Sequence, residues 1–387
     1  MNVAIITDSF PPMMDGVSRS ALGYANALHE GGYGKCIVIA PHIPRLKYNY
    51  PFPVYGFSSV KLPFDQYRAG HPFTPYLIRK LRSLDTDIIH AHSPFISMTL
   101  ARELRRYLRI PIVFTQHTKW DYDIVRIISS KHLQKRIERF AYKNIDRADD
   151  VWAVSRGAGE YLCSRGFRGK YIVMPNGTDF PQHAAAPELL KQIENRFDLP
   201  GGVPVLLFVG RMMWYKNIEL ILESLEILRK RSFDFRMVFV GDGRDLLEVK
   251  KMTADKGLFD VVFFTGQVND REMLRALYTR SDLFIFPSVY DTAGLVVLEA
   301  AACYSPSVVV RGSAASETVE DGVNGYYTSE DPENMADVVQ AAFSDRKQLE
   351  QIAAAASGQI YLTWDKAIER AVKRYEAVKA AYAYYHV

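Results

Sequence analysis

In the second half of the chain, two segments set charged side chains at strand-to-helix turns. Phe208-Val209-Gly210-Arg211 reads as a buried strand running into a turn, and Lys216-Asn217 opens a helical pattern. Two fixed cations beside a helix N-terminus suit a diphosphate, because free amides and the helix dipole favour negative charge there. A pair of ordinary surface cations is the plainer alternative. The segment Ser288–Ala300 is more specific: a strand ends at Pro287, a loop carries Ala293 and Gly294, and a helix begins near Leu295. Its acids, Asp291 and Glu299, are eight positions apart, which puts Asp291 in the loop and Glu299 about one to two turns into the helix. One carboxylate can take sugar hydroxyls and the other ribose hydroxyls, with a phosphate on the helix N-terminus between them. A capping Asp and a solvent-facing Glu would be the blander account, but the neighbours Leu298, Ala300, Ala301, Ala302 and Cys303 are too apolar for a casual surface acid. Val240-Gly241-Asp242-Gly243 reads as ordinary turn chemistry.

The first half carries fewer charged candidates. After its first strand comes Asp8–Ser18 with Gly16 near a helix start, where exposed amides could approach an anion; a capped turn explains it equally well. The loop lacks the glycine-rich dinucleotide fingerprint, which argues against NAD. His117, in Phe114-Thr115-Gln116-His117-Thr118-Lys119-Trp120, ends a buried run beside a cation and an aromatic. His90 and His92 end the preceding strand, and their period-2 spacing puts both imidazoles on one face. With no third ligand in view, hydrogen bonding is favoured over a metal pair.

These residues need strands to stop at and helices to follow. The first half alternates strand-like runs (Val3–Ile6, Cys36–Ala40, Ile88–Ala91, Ile112–Thr115, Val151–Val154, Tyr171–Met174) with amphipathic stretches (Ser18–Glu30, Thr74–Ser83, Ile96–Leu108, Lys131–Ala148). After Pro175-Asn176-Gly177 and a polar connection the alternation restarts, with strands expected at Val205–Val209, Arg236–Val240, Val261–Thr265, Leu283–Pro287 and Ser307–Arg311. Such alternation predicts α/β architecture: two doubly wound parallel sheets, covered on both faces. The expected division is 1–182, 183–363 and a helix over 364–387 that packs on its own domain or returns to the first, with Ile368, Val372, Tyr375 and Val378 on one face. In open sheets of this kind ligands bind at the carboxyl ends of the strands, which is where every candidate above lies.

At 387 residues the chain is long enough for two cores, and 48% hydrophobic with 24% charged residues is ordinary globular composition. The start is too soon broken for a signal peptide, and no apolar run approaches the ~20 residues of a spanning helix. Cys36, Cys163 and Cys303 sit among apolar neighbours without metal spacing, and are expected as buried free thiols. The first 182 residues hold 25 Lys+Arg against 15 Asp+Glu, and the remainder 23 against 29. A basic half suggests an anionic partner, a solvated basic surface being the alternative. Nucleic acid is disfavoured, since the cations form no tail or stripe and no nucleic-acid motif is present.

Taken in order, PPMMDGVSRS, HAHSP, FTQHT, PNGTD, FVGRMMWYKN, VGDG, SVYDTAGLVVLEAAAC and SETVEDGVNGY resemble the retaining glycosyltransferases of family GT4 across nearly the whole chain. The resemblance implies the GT-B fold, two Rossmann-like domains facing a central cleft, with the acceptor on the N-terminal domain and a nucleotide-sugar donor on the C-terminal one. It implies that Arg211 and Lys216 bind the donor diphosphate, that Glu299 holds the ribose, and that Asp291 stands where the family has the first Glu of its E-x7-E motif, contacting the sugar. Ala293, Gly294 and Leu295 would meet sugar and phosphate through their amides, Gly16 would line the phosphate side, and His117 would face the reacting sugar and acceptor. No metal or other cofactor is required, since fixed cations and helix dipoles stand in for Mg²⁺. Asp291 is one methylene shorter than the family's Glu, and Ala293 replaces a common Phe, so the sugar pocket differs. UDP-glucose or a related hexose donor is the family's expectation.

For the acceptor, Tyr48–Tyr55, Lys61–Phe64, Tyr67, Arg68 and His71–Phe73 interleave aromatics with cations, and Lys131, Lys135, Arg136, Arg139 and Lys143 make a basic helix. This suits an anionic membrane surface. The set resembles the bacterial diacylglycerol glycosyltransferases of the family, which would make the protein cytoplasmic and peripheral at the inner face of the membrane. A soluble sugar or polysaccharide acceptor is the first alternative, and a non-catalytic GT-B partner protein the second.

Overall fold

The computed structural model describes residues 1–13, 15–61, 68–71, 75–83, 85–120, 124–125 and 128–386. Leu62, Pro63, Phe64, Tyr67, Pro72 and Phe73, expected to contribute to acceptor binding, lie outside the described residues. The chain divides into two compact units, Met1–Gly177 with Thr363–Val387, and Thr178–Leu362. Each is a Rossmann-like α/β unit.

The first unit holds β1 (Val3–Ile6), β2 (Cys36–Pro41), β3 (Val54–Phe57), a short antiparallel pair β4 (Ser59–Lys61) and β5 (Arg68–Gly70), then β6 (Ile88–Ala91), β7 (Ile112–Gln116), β8 (Asp150–Ala153) and β9 (Ile172–Val173). Seven of these form one sheet in the order β3-β2-β1-β6-β7-β8-β9, with every pair parallel. Successive residues of β1 feed opposite cores, Val3 and Ile5 one face and Ala4 and Ile6 the other, which is why the run shows no polar alternation. The helix Trp364–His386 belongs to this unit. Ile368, Ala371, Val372, Tyr375 and Val378 enter the β1 core, while Arg374 donates to both Asp150 oxygens at 2.7 Å. Gly23 is required beneath it, because a Cβ there would lie 2.1 Å from the Trp364 ring.

The second unit holds β10 (Val205–Val209), β11 (Arg236–Val240), β12 (Val262–Gly266), β13 (Leu283–Phe286), β14 (Ser307–Val310) and β15 (Gly325–Thr328), all parallel in the order β12-β11-β10-β13-β14-β15. The order reverses between β10 and β13, so the loops after these two strands open side by side. The unit's first and last residues are joined where Thr178 N donates to the Leu362 carbonyl at 2.8 Å.

Several elements add to those expected. β3 is an edge strand preceded by Pro51 and Pro53, and Pro53 still accepts from Val38 N at 2.9 Å; proline is tolerated there because only its missing N–H is lost. The helix Arg346–Gln359 buries Leu349, Ile352 and Ala356, but its run of alanines blurs the apolar period. Cys163 is a correction: it is exposed on the helix Arg156–Ser164, where its neighbour Leu162 takes the inward position. Cys36 and Cys303 are buried, and burial pushes both thiols up to about 12.

Candidate functional site

At the switch point of the second unit, the loop after β10 folds into a short turn, Trp214–Lys216, and then the helix Ile218–Lys230. Asn217, in the left-handed region at φ 58°, donates from Nδ2 to the Pro287 carbonyl at 3.1 Å and to Glu330 at 2.8 Å, tying this loop to the end of β13. The Gly241–Gly243 turn supports it from beneath: Met212 N donates to the Asp242 carbonyl at 3.0 Å, and a Cβ at Gly243 would stand 2.4 Å from the Met212 oxygen.

This scaffold buries Lys216 and aims its Nζ at Asp291, 2.5 and 2.6 Å from the two carboxylate oxygens. The sequence assigns Lys216 to an anion and Asp291 to hydroxyls; the structure pairs them across the two switch-point loops. Burial alone would raise the Asp291 pKa, but the charge and hydrogen bond of Lys216, joined by a Ser288 hydrogen bond and the Arg211 charge, together outweigh it and hold the carboxyl below its ordinary value. Arg211 is the exposed cation of the set, donating to Tyr215 OH at 2.8 Å, and the Tyr215 ring lies 5.0 Å from that of Tyr290.

Gly294 starts the helix Leu295–Ala302 with φ 54° and ψ 47°, a conformation glycine adopts without strain, and no side chain caps the helix amides. Ala293 and Leu295 flank it, both partly buried. Glu299, only 3% exposed, faces inward. It accepts from Arg271 Nη1 at 3.1 Å and from Tyr278 OH at 3.1 Å. Arg271 also pairs with Asp179 and lies over the Phe180 ring, 4.0 Å from its centroid. Arg271, Tyr278 and Asp179 were not singled out from sequence. The one available signal was a cation at the first position of the helix Arg271–Arg280, where the dipole disfavours it unless a carboxylate is near.

In the first unit, Gly16 opens the helix Gly16–Glu30, whose cap Asp15 accepts from Ser18 N at 2.8 Å. Asp8, after β1, does the same for the helix Ile96–Leu108, taking Ser97 N at 2.8 Å and the Ser93 and Ser97 hydroxyls at 2.5 and 2.6 Å. His117, after β7, sits in a buried cluster. Its Nε2 is 2.7 Å from His92 Nδ1 and the two rings stack; the His90 ring lies 4.1 Å from that of His92. His90 in turn bonds Thr115 and the Tyr375 hydroxyl, both at 2.6 Å. Burial drives all three imidazoles to the neutral form, His117 to a pKa of about 3. Among the described residues no group of three or more His, Cys, Asp or Glu is placed to hold a metal ion. Gly16 and His117 thus belong to the first unit, and Arg211, Lys216, Asp291, Ala293, Gly294, Leu295 and Glu299 to the second.

The helix Lys131–Ile145 buries Ala141, Asn144 and Ile145 and leaves Lys131, Lys135, Arg136, Arg139 and Lys143 in solvent. Between these cations Leu133 and Phe140, seven residues apart on one face, are 46% and 45% exposed. No described helix is long and apolar enough to cross a membrane.

Residues 191–359 match the profile of Glycosyl transferases group 1, and residues 14–180 that of Glycosyltransferase Family 4. An alpha-monoglucosyldiacylglycerol synthase of Streptococcus pneumoniae is 24% identical, covering 86% of this chain and 76% of its own length. A GDP-mannose-dependent alpha-mannosyltransferase of Corynebacterium glutamicum is 26% identical over 98% of this chain and 90% of its own. Among solved structures, HepE from Anabaena in complex with UDP superposes with a TM-score of 0.77 at 18% identity, covering 97% of this chain and all of that one, a likeness of fold.

Proposed function

We propose that this chain, a nucleotide-sugar-dependent glycosyltransferase of the GT-B fold related to family 4 and group 1, is a metal-independent retaining hexosyltransferase that uses a UDP-glucose-like donor and a membrane lipid such as diacylglycerol. The observation that carries the donor part is the convergence, at one Rossmann switch point, of the Arg211 cation, the Lys216–Asp291 pair, the uncapped amides after Gly294 and the buried Glu299.

In this reading Glu299 takes the ribose hydroxyls, and Arg211, with the amides around Ala293, Gly294 and Leu295, receives the diphosphate. Lys216 moves part of its charge from Asp291 to the phosphate as the sugar–phosphate bond breaks. A cation already fixed and partly desolvated needs little reorganisation at that moment, the condition under which electrostatic stabilisation is largest. Asp291, held ionised, takes a sugar hydroxyl and opposes the positive charge of an oxocarbenium-like sugar. The departing phosphate oxygen accepts the acceptor's proton on the same face, which gives retention without an enzymic nucleophile. The first unit receives the acceptor, with the neutral His117 imidazole as a hydrogen-bonding group for it and the Gly16 turn as a backbone contact.

The lipid acceptor is supported by the helix Lys131–Ile145, whose Leu133 and Phe140 stand exposed among five cations, a composition suited to an anionic interface. The name of the streptococcal relative, an alpha-monoglucosyldiacylglycerol synthase, supports the same choice, and that of the GDP-mannose-dependent alpha-mannosyltransferase leaves GDP-mannose as the alternative donor. Such an enzyme works at the inner membrane face from the cytoplasm. The test is transfer from UDP-glucose to diacylglycerol in phosphatidylglycerol vesicles containing EDTA, with the anomeric proton of the product read by NMR. An α-linked glucolipid is expected; a β-linked product, or activity abolished by EDTA, overturns the retaining or the metal-free part.

A further inference from the structure

Glu299 does not stand alone in its pocket. Both carboxylate oxygens are taken by one helix, Oε1 by Arg271 at its first residue and Oε2 by Tyr278 two turns later, each at 3.1 Å. A donor on each oxygen fixes the plane of the carboxylate. Tyr278 is fully buried and fixed by packing against Phe180 and Phe284. Arg271 is fixed differently. Its other arm is on Asp179 and its plane lies over Phe180, the second and third residues of the unit as the chain enters it. That entry segment is itself tied to the unit's exit, since Tyr361 OH donates to the Phe180 carbonyl at 2.9 Å and Thr178 N to the Leu362 carbonyl at 2.8 Å. The guanidinium is therefore a planar fork between the buried acid and the point where the chain crosses into the unit. Lysine carries its three donors on one nitrogen and lacks this planar reach, so it would hold the two ends less well.

We infer that Arg271 is a positioning residue for nucleotide recognition, locking the Glu299 carboxylate in the orientation that reads ribose hydroxyls and making that lock depend on Asp179 in the entry segment. This rests on the reading of Glu299 as the ribose-binding acid. Without the Arg271 fork the acid can rotate about its side chain, and ribose recognition falls while diphosphate binding, carried by other residues, persists.

The experiment is calorimetric binding of uridine, guanosine and adenosine diphosphates, each against its 2′,3′-dideoxy counterpart, to the full chain and to Arg271→Gln, Arg271→Lys, Asp179→Asn and Glu299→Ala. The wild type is expected to prefer the ribose form of its nucleotide by about tenfold or more, the scale of a lost hydrogen bond to a charged group. Glu299→Ala removes that preference. Arg271→Gln brings it close to one with the affinity for the dideoxy form kept within about threefold, Arg271→Lys restores part of it, and Asp179→Asn falls between. A general structural defect would weaken both forms together. If Glu299→Ala abolishes the preference while Arg271→Gln, Arg271→Lys and Asp179→Asn all keep it, the Arg271 assignment is wrong and the donor site stands. If the wild type shows no preference, or Glu299→Ala keeps it, the donor-site reading itself fails and the inference with it.

Discussion

Replacing Lys216 by methionine keeps most of the stem and removes the charge from a pair whose side chains are only 10% and 25% exposed. At the observed 2.5 Å contact, an effective dielectric near 20 gives a gross attraction of roughly 7 kcal/mol, much of it offset by the desolvation both groups have already undergone. Breaking a buried pair costs about 3–5 kcal/mol, and the partial exposure of Asp291 puts this one near the lower end, about 3 kcal/mol. Most of that is the residual carboxylate. With Lys216 gone, burial, already the largest single influence on Asp291, loses its main counterweight, and the pKa moves up from the present lowered value. Lys216→Met should therefore be destabilising, Asp291→Asn less so, and the double variant more stable than Lys216→Met alone. Native-state hydrogen exchange of β10 and β13 measures the second unit separately from the first. The expected coupling in the double-mutant cycle is about 2–3 kcal/mol. A coupling below about 0.5 kcal/mol would mean that solvent screens the pair, and the idea of a preorganised, charge-balanced cation at the switch point would be refuted.

Three further outcomes follow from other parts of the molecule. His117 has a folded pKa of about 3 against an ordinary 6.5, so the unfolded chain binds more protons between those values and stability is lost as pH falls through that window; at pH 5 His117 alone accounts for about 2 kcal/mol, and His117→Gln should shrink the fall in Tm between pH 7 and pH 5. An unchanged difference in that variant would count against the buried-imidazole account. Gly294→Ala forces φ 54° on a side chain whose Cβ would lie 3.2 Å from the Ala315 Cβ, costing about 1–2 kcal/mol and weakening nucleoside diphosphate binding by calorimetry; unchanged affinity would detach this turn from the donor site. Leu133→Asp with Phe140→Asp should reduce flotation with phosphatidylglycerol vesicles by about tenfold or more, through lost apolar insertion; undiminished flotation would remove this helix from the interface.

The alternation of buried runs and amphipathic stretches was enough to read the α/β class, because both faces of each central strand are covered and the runs are nearly all apolar. Edge elements were harder: β3 follows two prolines, and β4 and β5 are three residues each with little apolar signal. At the site, the eight-residue spacing placed Asp291 in a loop and Glu299 inside a helix, as observed. What spacing could not give was who pairs with whom. The Lys216–Asp291 contact joins residues 75 apart and the Arg271–Asp179 contact residues 92 apart, both set by strand order. His90 and His92 were placed on one face by their period, but the stack reaching His117 needed the parallel β6–β7 pairing, and Tyr375 came from the far end of the chain.

The proposed nucleotide-sugar site is built around Glu299 at the switch point of the second unit. Its most direct test is nucleotide release from UDP-, GDP- and ADP-sugars in EDTA, with wild type and Glu299→Ala run side by side. Slow release from one of these donors is expected, with kcat/KM reduced about a hundredfold or more in the variant, as when a charged contact to the substrate is lost. Release that survives undiminished in Glu299→Ala, or a wild type that neither hydrolyses nor binds any of the three nucleotides, would contradict it.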